Sequence, residues 1–261
     1  MTHKGCWLWS WVVAMLAGNS ALWAQEPSAG KQVPQRFVSQ YAPAEALNYL
    51  LFLPTDYGQQ ERKWPLLLFL HGAGESGDDL QKVKTHGPPK LVEQRPHDFP
   101  FVIVSPQAPI TEIPIVDRWQ PRLLAELVDH VVSRFAIDPE RLYVTGLSMG
   151  GYGTIRLVAY YPKKFAAAIP ICGGGSRGYG ASLAAVPMWF FHGDADLIVP
   201  LEQSLEVVRA MRMAGGQPKF TVYSGVGHDS WTATYDNPEI YQWLLQHTLS
   251  NRPPLNASRR P

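Results

Sequence analysis

The segment from Arg141 to Gly153 constrains the fold more than any other part of this 261-residue chain. It reads Arg-Leu-Tyr-Val-Thr-Gly-Leu-Ser-Met-Gly-Gly-Tyr-Gly, a short β-branched and aromatic strand that runs into G-x-S-x-G. Between a strand and a helix, this motif predicts a nucleophile elbow, a sharp turn that lifts the Ser148 hydroxyl clear of the sheet. Gly146 and Gly150 lack Cβ atoms, so we expect strand and helix to close in around a strained serine.

Short apolar segments alternate with helical patterns along the chain. Trp64–Leu70 is a continuous apolar run, typical of a strand buried on both faces, and residues 121–135 carry apolar side chains at helical spacing. This alternation predicts a single-domain α/β fold, with a mostly parallel central sheet and helices on both faces. Reactive groups in such folds collect at the carboxyl ends of the strands. Polar clusters begin at four such ends, after Leu70, Gly146, Phe191 and Tyr223.

A serine becomes a strong nucleophile only when a base takes its proton, and a carboxylate commonly orients that base. His228, in a Gly-rich loop after the last predicted strand, is the candidate base for Ser148. Asp194 and Asp196 follow one strand end two residues apart. Asp196 is the preferred acid because it lies farther from the strand end, where a loop can lean toward the histidine. Asp194 remains its rival.

The loop His71-Gly72-Ala73-Gly74 follows a buried strand and has small residues that let a backbone N–H turn inward. We therefore predict an oxyanion hole formed by the N–H groups of Ala73 and Met149. Residues 72–77 also match G-x-G-x-x-G, the pattern of a dinucleotide-binding loop. That alternative is disfavoured because no apolar helix opens on the glycines and two following aspartates would repel a pyrophosphate. Glu75 and Asp78 are expected to brace the loop by hydrogen bonds.

Other residues have less specific interpretations. Trp119, Tyr152 and Trp231 are candidate walls of a substrate pocket, although aromatic side chains are as often part of a core. Cys172 ends an apolar strand and is expected to be a small buried core residue. His86 and His192 are expected to have structural roles only, and His192 is expected to bond to nearby backbone. No spacing typical of metal ligands occurs, so neither a metal nor another cofactor is predicted.

The ends of the chain suggest its organisation. Residues 1–24 combine a weakly basic start, an apolar run too short to span a bilayer stably and a closing alanine, which together predict a signal peptide. A retained anchor is the alternative. We further predict a linker over 25–36, a catalytic domain over 37–250 and a flexible tail over 251–261. The expected location is secreted or periplasmic, without stable membrane insertion after cleavage.

The composition limits the partners. The formal net charge is +1, and the 23 Lys and Arg residues are not gathered into runs. Neither nucleic acid nor an anionic membrane is therefore an expected partner. With 46% hydrophobic residues, the chain can build one sizeable core without disulfides.

Four motifs together resemble the α/β-hydrolase superfamily. They are Leu70 to Glu75, Thr145 to Gly153, Phe191 to Asp196 with Val199-Pro200, and Gly225 to Trp231. Within the superfamily, the chain looks like the secreted bacterial "predicted peptidase" group of esterases. That group is related to prolyl oligopeptidase-type catalytic domains and to feruloyl and acetyl-xylan esterases.

The resemblance implies Ser148 as nucleophile, Asp196 as acid and His228 as base, in agreement with the choice made from the residues. Related sequences often have Arg where this chain has Ser76, so an anchoring role of that position is not carried over.

The function expected from these observations is that of a serine carboxylic-ester hydrolase, an esterase that forms an acyl-enzyme on Ser148. Its substrate would be a small ester or one linked to a polysaccharide, such as an acyl or feruloyl ester. The alternative within hydrolases is an oligopeptidase or aminopeptidase, although the chain lacks the propeller domain of prolyl oligopeptidases. A non-catalytic binding module on the same fold is the alternative from another class.

Overall fold

A computed structural model describes residues 26–252 of the chain. One eight-stranded sheet organises this part, in the order β1-β2-β4-β3-β5-β6-β7-β8. The strands are β1 Gln32–Val38, β2 Ala46–Phe52, β3 Trp64–Leu70, β4 Val102–Pro106, β5 Ile137–Leu147, β6 Ala167–Ile171, β7 Trp189–Gly193 and β8 Lys219–Tyr223. β2 runs antiparallel to both β1 and β4, and the remaining neighbours are parallel. The predicted α/β class with a mostly parallel sheet is confirmed.

Helices cover both faces of the sheet. They are α1 Gly87–Gln94, α2 Pro121–Arg134, α3 Met149–Tyr160, α4 Gly180–Leu183, α5 Glu202–Met213, α6 Trp231–Asp236 and α7 Pro238–Leu245. Short 3-10 turns, among them Ala73–Glu75 and Lys82–Thr85, lie in the connections. Within residues 26–252, no helix has the length and apolar character needed to cross a membrane.

The alternating sides of the strands build two cores. Leu66, Leu68 and Leu70 of β3 belong to a buried cluster that also holds the apolar faces of α2, α3 and α5. Leu67 and Phe69 belong to the opposite cluster, with side chains from α1, α6 and α7. Every residue of β3 is buried, as its unbroken apolar run predicts. Because β3, β5, β6, β7 and β8 run parallel to one another, the carboxyl ends of β3, β5, β7 and β8 share one edge of the sheet.

The predicted linker over 25–36 is wrong in its second half. Residues from Gln32 onward pair with β2 in an antiparallel register, from Gln32 opposite Phe52 to Val38 opposite Ala46. Val33 and Phe37 enter the core, while the residues between them are polar or partly exposed. Pro34 is tolerated because β1 is an edge strand, where a missing N–H breaks no inner ladder. Polar side chains on the outer face made this strand look like a linker.

Two element boundaries carry no clear local signal. Gly87-Pro88-Pro89 begins α1, since a proline in the first turn costs no hydrogen bond. Residues 137–140, which include Pro139, form the start of β5. Of the predicted tail, Asn251 and Arg252 are described, and the Arg252 guanidinium donates to the carbonyl of Pro162 at 2.6 Å. Residues 253–261 and the predicted signal peptide lie outside the described residues.

Candidate active site

The turn between β5 and α3 holds Ser148 in a strained conformation. Its φ of 53° and ψ of −117° lie outside the regions that L-residues ordinarily adopt. A Cβ on Gly150 would lie 1.9 Å from the carbonyl oxygen of Leu70, and one on Gly146 would lie 2.3 Å from the carbonyl oxygen of Gly150. Only glycine therefore fits at these positions, which confirms the sharp turn predicted from the motif. The Ser148 N–H donates to the carbonyl of Ile171 at 3.0 Å and ties the turn to β6.

Three side chains from distant parts of the chain form one line of hydrogen bonds. Nδ1 of His228 lies 2.7 Å from Oδ2 of Asp196, and Nε2 of His228 lies 2.9 Å from Oγ of Ser148. The carboxylate can only accept, so Nδ1 carries the proton and Nε2 accepts from the serine hydroxyl. This tautomer leaves His228 placed to take the Ser148 proton.

Asp196 is held in its ionised form. Its Oδ1 accepts from the N–H groups of Ile198 and Val199, both at 2.9 Å, while the side chain is buried. Burial raises the pKa of Asp196, but the hydrogen bonds from His228, Val199 and Ile198 outweigh burial and lower the pKa below its ordinary value. The carboxylate consequently stays charged at neutral pH and can stabilise a protonated imidazole.

The rival acid, Asp194, has a different task. Its Oδ1 accepts from the N–H of Gly225 at 2.6 Å, which braces the loop that carries His228. The two acids of this loop therefore divide their roles, with Asp196 on the histidine ring and Asp194 on the backbone.

His71 fastens the loop after β3. Its Nδ1 donates to the carbonyl of Gly72 at 2.6 Å, and its Nε2 accepts from the N–H of Ala108 at 3.0 Å. Trp119 donates from its indole N–H to the carbonyl of His71 at 3.2 Å and packs edge-on against the imidazole. Burial lowers the pKa of His71 to about 4, a shift that its hydrogen bond to Gly72 opposes, so the ring is neutral at physiological pH.

Ala73 and Met149 each begin a helical segment, the 3-10 turn Ala73–Glu75 and helix α3. The first N–H of a helical segment has no partner inside that segment, so both are available for a ligand. The backbone conformation is thus compatible with an oxyanion hole formed by the N–H groups of Ala73 and Met149, and this role stays a prediction. The Glu75 backbone carbonyl accepts from the Gln107 amide at 2.8 Å, whereas Glu75 Oε2 is buried without a hydrogen bond to any described residue. Glu75 thus takes part in the hydrogen bonds of this loop through its backbone and not through Oε2, and the role expected of Asp78 stays a prediction.

The three aromatic candidates have different surroundings. Trp231 packs edge-on against His228, with ring centroids 5.2 Å apart, and is partly exposed beside the base. Tyr152 is partly buried, and burial raises its pKa, with a smaller contribution from the Asp196 charge. Trp119 is buried and supports His71 from behind. Trp231 and Tyr152 thus border the reactive groups, while Trp119 lies behind the oxyanion loop.

Some features of the site were missed from the sequence. The His86 ring packs edge-on against Trp231, with ring centroids 5.4 Å apart, and its Nε2 lies 3.9 Å from Oε1 of Glu75. Leu197 and Ile198 follow Asp196 directly and are 92% and 72% exposed, so an apolar surface lies next to the Asp196 loop. The sequence contained a signal for this surface, since an aliphatic pair directly after a loop aspartate is unusual for a solvated turn.

His192 and Cys172 are both fully buried, which confirms the predicted core position of Cys172. His192 Nε2 donates to the carbonyl of Val199 at 2.8 Å, which confirms its predicted structural role. The Cys172, Asp196 and His228 ligand atoms lie within 4.8 Å of one another, the one such group found among residues 26–252. Burial raises the pKa of the Cys172 thiol to about 12, and the other two members are bonded to each other. The predicted absence of a metal stays a prediction.

A protein-family model described as Esterase matches residues 42–249. The chain is 47% identical over 51 residues to poly(3-hydroxyalkanoate) depolymerase C of Paucimonas lemoignei, covering 20% of this chain and 12% of that protein. It is 28% identical over 141 residues to the bifunctional acetylxylan esterase/xylanase of Neocallimastix patriciarum, covering 53% and 20%. The chain therefore spans a fifth or less of the length of these two relatives.

A solved structure with the same fold is that of a thermostable esterase. It matches with a TM-score of 0.70 and 32% identity, covering 83% of this chain and 63% of the other.

We predict that Gly150→Ala destabilises the protein by about 3 kcal/mol, because the new methyl group must displace the end of β3. The matched control is Gly74→Ala, where an added Cβ meets no atom within 4 Å and the φ is not positive. That variant should stay within about 0.5 kcal/mol of wild type. Urea unfolding of the three proteins measures both values. Equal stability of the two variants would contradict the proposed tightness of the elbow.

We also predict a pH-dependent stability that depends on His71. Because burial lowers its folded-state pKa to about 4 from 6.5, the unfolded chain binds a proton that the folded chain does not between these pH values. The free energy of unfolding should therefore fall by about 3 kcal/mol as the pH drops from 6.5 to 4. His71→Gln should remove this part of the dependence, and His97→Gln, at an exposed position, should keep it. Unfolding curves with the same pH dependence in all three proteins would show that His71 titrates normally.

Proposed function

Because this chain belongs to the esterase family, we propose that it is a serine carboxylic-ester hydrolase that works through an acyl-enzyme on Ser148. One observation carries the proposal, namely the continuous line of hydrogen bonds from Asp196 through His228 to the Ser148 hydroxyl. This arrangement supplies a nucleophile, its base and the group that orients the base, which are the parts that acyl transfer requires.

The reaction follows from the hydrogen-bond directions. Ser148 attacks the ester carbonyl carbon while His228 takes the hydroxyl proton, and Asp196 stabilises the resulting imidazolium. The tetrahedral oxyanion lies between the N–H groups of Ala73 and Met149, which need no reorganisation because each begins a fixed helical segment. Breakdown of this intermediate expels the alcohol, to which His228 returns the proton. Water then attacks the acyl-enzyme by the same route, releases the acid and restores Ser148.

We propose as substrates the acyl or feruloyl esters of polysaccharides, met outside the cytoplasm in a secreted or periplasmic location. The similarity to an acetylxylan esterase/xylanase supports this substrate class. The exposed aliphatic pair Leu197 and Ile198 and the ring of Trp231 offer apolar contacts beside the reactive groups. An oligopeptidase-like activity remains the alternative, and it is disfavoured because an amine is a poorer leaving group than an alkoxide.

The choice between ester and peptide substrates is tested with matched chromogenic compounds. We expect kcat/KM to be higher for acetyl and butyryl p-nitrophenyl esters than for dipeptide p-nitroanilides, with feruloyl esters included to define the acyl group. A higher kcat/KM for an anilide would replace the esterase proposal by a peptidase.

The nucleophile is tested by removing its hydroxyl group. We expect Ser148→Ala to lower kcat by about 10⁴-fold or more and to abolish labelling by a fluorophosphonate.

The roles of the two aspartates are tested by isosteric exchange. Asp196→Asn should lower kcat by about 10⁴-fold, because the amide no longer selects the imidazole tautomer that accepts from Ser148.

Asp194→Asn is the matched control for this experiment. The new amide oxygen can still accept from the Gly225 N–H, so kcat should stay close to wild type. A large loss of kcat in Asp194→Asn with little loss in Asp196→Asn would reverse the assignment. If the fluorophosphonate fails to label Ser148 in wild type and no ester is hydrolysed, the alternative of a non-catalytic binding module is favoured.

A further inference from the structure

A cavity lies beside the loop that follows β3, apart from the reactive serine. Its volume is about 560 Å³, and its walls combine apolar side chains with three arginines. The apolar part includes Leu47, Ile113 and Trp119, and the charged part includes Arg36, Arg118, Arg122 and Glu45. We call it the arginine cavity. Nothing in the proposed reaction uses it.

Only one of the three arginines is neutralised. The Arg122 guanidinium contacts Glu126 and lies 2.5 Å from the Glu45 carboxylate. The guanidinium groups of Arg36 and Arg118 form no ion pair with any carboxylate of residues 26–252. Arg118 donates to the Ser76 hydroxyl at 3.2 Å, and its Nε is buried without a hydrogen-bond partner among those residues. The cavity therefore carries uncompensated positive charge on two side chains.

The helix that begins at the cavity does not offset the positive charge of the arginines. Helix α2 begins at the cavity with Pro121, and its first turn contains no acidic residue. The partial positive charge of a helix N-terminus thus adds to that of the arginines. Guanidinium groups bind carboxylates through two parallel hydrogen bonds, and apolar walls strengthen such contacts by excluding water.

The position of the cavity relates it to the ester bond. It lies at the ends of β2 and β4, on the same edge of the sheet as Ser148, and β3 separates β4 from β5. Two to three strand spacings of about 4.8 Å separate it from the nucleophile, which is on the order of 10–15 Å. Two hydrogen bonds also join the cavity to the loop after β3. The Trp119 indole bonds to the His71 carbonyl, and Arg118 bonds to the Ser76 hydroxyl directly after the 3-10 turn Ala73–Glu75.

We infer that the arginine cavity binds a carboxylate of the ester substrate, with Arg118 and Arg36 as its partners, on the order of 10–15 Å from the scissile carbonyl. The inference rests on the proposed ester hydrolysis and narrows its substrate class to acidic esters. The expected consequence is a preference for an acidic ester over its neutral counterpart.

The test uses p-nitrophenyl monoesters of straight-chain dicarboxylic acids of increasing length, each paired with its methyl ester at the far carboxyl group. For wild type, we expect the ratio of kcat/KM, free acid over methyl ester, to reach about tenfold at a length that spans the two sites, the effect of one charge-assisted hydrogen bond. Arg118→Gln and Arg36→Gln should each move this ratio toward one.

Arg62→Gln is the control for net charge, since Arg62 pairs with Asp56 near the opposite end of β3. It should keep the wild-type ratio. A ratio near one at every length in wild type, or an unchanged ratio in both cavity variants, would overturn the inference. A fall of the ratio in Arg62→Gln equal to that in the cavity variants would also overturn it, because the preference would then reflect total charge.

A binding measurement separates this inference from the proposed function. Calorimetric titration of Ser148→Ala with the dicarboxylate of preferred length needs no turnover. We expect binding that weakens at least about tenfold when Arg118→Gln is added. Hydrolysis of the methyl esters by wild type tests esterase activity alone, so either proposal can fail without the other. Equal binding with and without Arg118, or binding of acetate and sulfate as tight as that of the dicarboxylate, would contradict a substrate carboxylate in the cavity.

Discussion

The close approach of α3 to the end of β3 is the constraint on which the site depends. A Cβ at residue 150 would lie 1.9 Å from the carbonyl oxygen of Leu70, so no other side chain fits there. This contact holds Ser148 at a φ of 53°, directly before the first residue of α3. The strain at the serine is stored by a packed, fully buried strand, which resists relaxation better than a loop would.

The neutral His71 extends this constraint across the sheet edge. Its two ring nitrogens join the oxyanion loop to the connection between β4 and α2, and Trp119 of that connection bonds back to the His71 carbonyl. The same connection contributes Arg118 to the arginine cavity. The arginine cavity and the loop that carries the Ala73 N–H are thus joined through one connected set of hydrogen bonds.

The loop after β7 shows how one short segment serves two purposes. Asp194 stabilises the backbone at Gly225, and Asp196 orients His228 and accepts two N–H groups of its own loop. The two side chains act on different parts of one unit, because Asp194 bonds to the backbone of the histidine loop and Asp196 bonds to the histidine ring. The exposed Leu197 and Ile198 follow from this arrangement, since a loop curled around the Asp196 carboxylate turns its next side chains outward.

The sequence by itself determined the α/β class, the elbow and the three side chains joined by hydrogen bonds, because strand periodicity and the glycines at 146 and 150 are local signals. It did not reveal β1, whose polar outer face hides Val33 and Phe37, or the role of His86 at Trp231. The structure alone brought Arg36 and Arg118 to one cavity, where neither forms an ion pair with a carboxylate of residues 26–252. Such pairings depend on the order of strands in the sheet, and residues far apart in the chain carry no local pattern that encodes their distance.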